Sequence, residues 1–178
     1  MFYMKFSISY DIFVQNRIID DIFTIGDSSS VSDIDVEHDI SGLSSSIDDV
    51  SDYLGYISIP SFGIKRLIKN GTDESVLNGN FVGLYGSNNL DSDDLIILAG
   101  HNVSNVFSKL HFISVDDVVY VNSYNFQREF VVYDKRIVDE GDTFYLSSDR
   151  SHELLLITCT KSSGKRLLVF LKEVLWIF

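Results

Sequence analysis

Residues 153–173 read Glu153-Leu154-Leu155-Leu156-Ile157-Thr158-Cys159-Thr160-Lys161-Ser162-Ser163-Gly164-Lys165-Arg166-Leu167-Leu168-Val169-Phe170-Leu171-Lys172-Glu173. Two short apolar runs are separated by small and polar turn-forming residues, the pattern of two buried strands joined by a tight connection. The expected strands are Glu153–Thr158 and Arg166–Glu173. Alternation ends the first at Cys159, which places the sulfur at a strand end, near the loop 160–164 and solvent.

The same pattern recurs upstream. Leu54–Ile59, Phe62–Lys69, Phe81–Tyr85, Leu95–Ala99, Val118–Asn122 and Gln127–Val138 are short apolar runs bounded by turn residues. With the carboxy-terminal pair they make eight candidate strands, and a mainly β, closed eight-stranded barrel is the expected fold. Two helical pieces interrupt them: Thr72 is positioned to cap 73–77, and Ser104 to cap 105–110. The only proline, Pro60, lies between two strands, where its fixed φ and missing N–H suit a corner.

The amino-terminal part reads differently. Phe6, Ile8, Ile12, Phe13, Ile19, Ile22 and Phe23 recur with rough helical spacing, and Gly26 follows as a stop, so residues 1–26 are expected to be a helix packed on the domain or a stalk. Fifteen of the twenty-five residues from Asp27 to Ser51 are Ser or Asp, which reads as an acidic linker, and the barrel domain takes 52–178. No run of 18 or more apolar residues is present, and the chain as given is expected to be soluble.

The formal charge is −12, and residues 18–64 hold ten acids with no Lys or Arg. That balance argues against nucleic acid as a partner, since phosphate binding needs clustered cations. A single cysteine excludes an internal disulfide framework and a multi-cysteine zinc site.

Cys159 taken alone reads as a small buried hydrophobe or as a reactive thiol. A thiol nucleophile works as thiolate and needs a base or a cation beside it. Of the four histidines, His38 falls in the acidic linker, His152 beside a polar loop and His111 after a short helix, where each serves equally well as a surface or packing residue. His101 follows the run Leu95–Gly100, again at a strand end, and Gly100 permits close backbone approach. Arg166 opens the last strand seven residues after Cys159, so a hairpin would bring its guanidinium beside the thiol, where a fixed cation can stabilise an oxyanion.

Together these segments resemble the sortase family. The motifs are Leu98-Ala99-Gly100-His101-Asn102, Leu155-Leu156-Ile157-Thr158-Cys159 and Arg166-Leu167-Leu168-Val169. Gly55-Tyr56-Ile57-Ser58-Ile59-Pro60 resembles the family's first barrel strand, residues 71–79 its following turn and short helix, and 106–110 the helix after the histidine. The resemblance spans about residues 54–173 in the family's order. It departs at Leu155, where threonine is common, and in 137–142, which lacks a proline that many relatives carry in the loop over the substrate groove.

The resemblance implies a cysteine transpeptidase that cleaves a Leu-Pro-x-Thr-Gly-like sorting signal and joins the acyl product to an amine of a cell-wall precursor or a pilin lysine. Cys159 would be the nucleophile, His101 the general acid and base, and Arg166 the oxyanion or substrate stabiliser. Thr158, Ala99 and Gly100 would border the substrate. The short 159–166 connection suits a class B- or D-like member. The enzyme would work on the outer face of a Gram-positive type membrane, tethered by an amino-terminal segment absent or trimmed here. No cofactor is required, though Asp139, Glu140, Asp142 and Asp149 in the loop 138–151 could attract calcium. A barrel that only binds peptides, or a cysteine peptidase that only hydrolyses them, are the competing readings.

Overall fold

A computed structural model describes residues 12–20, 52–86, 89–146 and 150–175. Eight strands close a barrel in the order β1-β2-β3-β4-β7-β8-β6-β5, with β5 pairing back onto β1. The strands are β1 (Tyr53–Ile59), β2 (Ile64–Asn70), β3 (Val82–Leu84), β4 (Ile96–Ala99), β5 (Val118–Asn122), β6 (Gln127–Asp139), β7 (Glu153–Cys159) and β8 (Lys165–Glu173). Six neighbouring pairs are antiparallel, while β2/β3 and β4/β7 are parallel. All eight expected strands are present.

Local chemistry accounts for the boundaries that differ. The second strand starts at Ile64, not Phe62, because Pro60–Phe62 form a 3-10 turn closed by Gly63 in the left-handed region at φ 64°. The helix expected after Thr72 is α2 (Glu74–Leu77), and its cap is Asp73. That carboxylate accepts from the Ser75 hydroxyl, from Ser75 N at 2.8 Å and from Val76 N at 3.2 Å, and these bonds, the hydroxyl's foremost, hold it below the ordinary carboxylate range. No helix starts at Ser104. Asn105 stands at φ 67°, which breaks a right-handed helix, and a 3-10 turn forms only over Ser108–Phe112. Lys135 Nζ then donates to the carbonyls of His111 and Ile113 at 3.2 and 2.7 Å, serving the orphan acceptors at that turn's end.

Side chains alternate through the barrel wall. Ile57, Ile96, Leu98, Phe130, Leu154, Leu156 and Val169 are within the interior cluster, closed at one end by Val106, Phe107 and Leu110. Two clusters lie on the outer wall. Leu95, Ile97, Leu155, Leu168 and Phe170 form one, with Val138, Tyr145 and Leu146 packed over it. Tyr53 and Leu67 meet Ile19 in the other. Residues 12–20, the described part of α1, are helical and lie against β1 and β2 there. Gln15 Nε2 donates to the carbonyls of Gly79 and Asn80, and its Oε1 accepts from Leu67 N at 3.4 Å. The remainder of the expected 1–26 helix and the 27–51 linker lie outside the described residues.

At the barrel end where β6 begins and β8 finishes, Arg128 and Glu173 form a nearly buried bidentate pair at 2.7 and 2.5 Å. Arg128 Nη1 also donates to the carbonyls of Leu90 and Ser92. His152 Nδ1 lies 3.0 Å from Glu173 Oε2. This network ties the start of β6 to the end of β8 and to the loop before β4.

Candidate active site

The parallel pairing of β4 with β7 sets Ala99 beside Ile157. The ladder continues one step beyond β4: Gly100 N donates to the Ile157 carbonyl at 3.1 Å, and Thr158 Oγ1 donates to the Gly100 carbonyl at 2.8 Å. His101 therefore leaves β4 at the level where β7 ends with Cys159. On the other edge of β7, Cys159 stands in direct register with Arg166. The three candidate catalytic residues thus occupy neighbouring lanes of β4, β7 and β8 at one end of the barrel, with the thiol in the middle lane.

Alternation decides which way they face. Cys159 shares its face with Leu155 and Ile157, and Arg166 shares its face with Leu168 and Phe170. The thiol and guanidinium therefore stand at the end of an apolar outer wall, partly roofed by Val138, Tyr145 and Leu146. Cys159, His101 and Arg166 are each half-buried. An apolar floor ending in a few convergent polar groups is the usual form of a site for an extended ligand.

Thr158 and Gly100 do structural work at this junction. Thr158 is 2% exposed, and its hydroxyl is committed to Gly100, so it joins the two strand ends and does not face the outer wall. Ala99 is half-buried. A Cβ added to Gly100 would come within 2.7 Å of the Phe107 ring and 3.0 Å of Val106. Both neighbours are fully enclosed, so neither can yield. Gly100→Ala is expected to cost about 1–3 kcal/mol in denaturant unfolding and to lower activity further by displacing His101.

Two partners of the candidate residues were not legible in the sequence. Asn78, at the end of α2, sets its Oδ1 3.2 Å from His101 Nε2, and an N–H there donates to it. That bond selects the tautomer and leaves Nδ1 to exchange a proton. Asn78→Ala is expected to lower kcat about fivefold with KM little changed, the worth of one neutral hydrogen bond. Asn78→Asp adds a negative charge that favours imidazolium, and it should move the histidine limb of the pH–rate profile upward. Unchanged kcat in the first variant and an unmoved limb in the second would remove Asn78 from this role.

Glu140, at the turn after β6, pairs with Arg166 Nη2, and Lys165 Nζ meets Asp139 Oδ1 at 2.6 Å. These contacts fasten the base of the β7–β8 hairpin to the end of β6. They also engage two of the four acids considered for calcium. Asp142 Oδ1 accepts from Phe144 N at 3.1 Å, and Asp149 lies outside the described residues. Among the described residues, no group of three or more His, Cys, Asp or Glu side chains is placed to hold a metal ion.

The other histidines stand apart. His111 Nε2 lies 3.3 Å from Asn102 Nδ2 and ties down the loop that follows His101. His152 belongs to the Arg128–Glu173 network before β7, whereas Cys159 ends that strand. His38 lies outside the described residues.

A closed barrel of this strand order, with a thiol, an imidazole and a guanidinium gathered at one strand end, defines the class that the comparisons then identify. The sortase-domain family profile matches residues 57–174. Sortase C1 from Streptococcus agalactiae is 30% identical with a TM-score of 0.64, over 72% of this chain and 71% of that one. Sortase C-1 from Actinomyces oris is 28% identical with a TM-score of 0.65, over 72% and 77%. A lid mutant of sortase A from Corynebacterium diphtheriae is 27% identical with a TM-score of 0.62, over 70% and 72%. No curated protein sequence matches. The chain belongs to the sortase family, whose members are cysteine transpeptidases of the cell surface.

These neighbours carry class C and class A names, so the expectation of a class B- or D-like member finds no support in them. The reason is physical: a seven-residue step from Cys159 to Arg166 is simply what a tight hairpin needs when those two residues are register partners. Among the described residues, no helix is long and apolar enough to cross a membrane.

Proposed function

We propose that this protein is a transpeptidase that cleaves a Leu-Pro-x-Thr-Gly-like sorting signal and joins the acyl product to a primary amine. The observation that carries the reading is the placement of Cys159 in the lane between His101 and Arg166, at the end of an apolar wall able to receive an extended peptide.

In the first half-reaction the Cys159 thiolate attacks the threonine carbonyl carbon, and the electron pair moves onto the carbonyl oxygen. Arg166 stabilises that oxyanion, exchanging its contact with Glu140 for it. The C–N bond then breaks as His101 donates a proton to the departing amine, leaving a thioester on Cys159. In the second half-reaction neutral His101 takes the proton of the incoming amine, which attacks the thioester and releases the thiolate. The amine is a cell-wall precursor or a pilin lysine, the enzyme acts outside the membrane from an amino-terminal tether, and no metal enters the chemistry.

Mass spectrometry with a panel of such peptides and an added amine tests this. Expected are a Cys159 acyl adduct and an amine-ligated product. Hydrolysis alone would identify a peptidase, and the absence of any adduct would point to a peptide-binding barrel.

A further inference from the structure

Gln15 is an unusual residue for its place in α1. It lies one helical turn before Ile19, on the face that packs against Tyr53 and Leu67, and it is 3% exposed. Burying an amide costs free energy unless its donors and acceptor find partners, and an aliphatic side chain would fill the same space without that cost.

The partners come from two separate elements. β3 meets β2 only from Ile68 onward, and just before that point the Leu67 N–H donates to Gln15 Oε1 at 3.4 Å. Gln15 Nε2 donates to the Gly79 and Asn80 carbonyls at 3.4 and 3.3 Å. One amide thus stands in for the missing start of β3 and clasps the turn that leads into it.

That turn carries Asn78, whose Oδ1 accepts from His101 Nε2. α2 is four residues long, too short to be stable alone, and Asn80 stands in the left-handed region at φ 59°. The backbone bonds from Asn78 N to Glu74, Gly79 N to Val76 and Asn80 N to Leu77 are internal to residues 74–80. The two bonds from Gln15 tie the piece to α1 and, through Leu67, to β2.

We propose that Gln15 is a positioning residue for catalysis: through the 79–80 carbonyls it fixes Asn78, and through Asn78 it holds the His101 ring in the orientation its proton transfers need. α1 is then part of the catalytic apparatus and not only a helix packed on the barrel. The inference rests on the acid and base role proposed above for His101.

The test compares the full-length wild type in peptide–amine ligation with Gln15→Met, which keeps the volume, and Gln15→Ala, which keeps the helix. Each variant is expected to lower kcat about three- to fivefold with KM little changed, no more than Asn78→Ala does. Introduced into Asn78→Ala, either substitution should lower kcat no further, since the link it breaks is already gone. A purely structural glutamine would give the same loss in both backgrounds. In the absence of substrate, the His101 ring carbon resonances of either variant should move toward the positions they take in Asn78→Ala. These signals decide the linkage even were the wild type to ligate nothing, a result that would count against the transpeptidase reading alone. An unchanged kcat, an undiminished loss in the Asn78→Ala background, or unmoved ring signals would each overturn the proposal.

Discussion

Cys159→Ala is expected to eliminate the acyl adduct and to lower ligation by about 10⁴-fold or more, because removal of the nucleophile leaves only binding and oxyanion stabilisation. The substitution is a clean one. Cys159 is half-buried at the last position of β7, its backbone pairing with Arg166 needs no side chain, and the interior cluster does not include it. Unfolding of the variant should therefore follow the wild type closely. His101→Ala should lower the rate about 10²- to 10⁴-fold, the usual worth of a positioned acid and base. Double replacement should cost little more than Cys159→Ala alone, since residues acting as one unit are not additive. Ligation surviving above about 1% in Cys159→Ala would show that the thiol is not the nucleophile.

The second large effect lies at the far end of the same strands and concerns stability. Glu173→Gln is expected to lower the unfolding free energy by about 3–5 kcal/mol, because it leaves the Arg128 guanidinium buried without its counter-charge. The Arg128 and Glu173 side chains are 9% and 11% exposed, so solvent offers little compensation. Replacing both, as Arg128→Met with Glu173→Leu, should recover much of the loss, which separates an uncompensated charge from a general packing defect.

The same pair sets a dependence on pH. The hydrogen bonds from Arg128, together with His152, hold the Glu173 carboxyl below its ordinary range. A carboxyl whose pKa is depressed by folding contributes stability above its unfolded value, about 4.3, and loses that contribution as pH falls through the folded value. Wild-type stability should thus drop more steeply below about pH 4 than that of Glu173→Gln. Parallel curves for the two proteins would show that the pair does not govern acid unfolding.

Much of this architecture could be read from the sequence because its signals are local. Each strand is a short apolar run with turn residues at its ends, and all eight are present with boundaries shifted by at most two residues. The shifts occur where a side chain or a dihedral competes with the pattern: Pro60 and Gly63 delay β2, Asp73 displaces Thr72 as the cap, and Asn105 denies the helix expected after Ser104. Positions 101, 159 and 166 stood out as strand-end residues for the same reason.

Their mutual placement belongs to another level. The amino-acid sequence by itself determined the strands, the pleat that turns Cys159 and Arg166 to the outer wall, and the tight hairpin that makes them register partners. Only the tertiary structure decided that β4 lies parallel to β7, fifty-eight residues away, bringing His101 to the thiol, Asn78 to His101 and Glu140 to Arg166. It also set Gln15 of α1 against the turn that carries Asn78. The physical reason is range: periodicity and turn chemistry act over a few residues, whereas non-local strand pairing is chosen by closure of the barrel and burial of its common core.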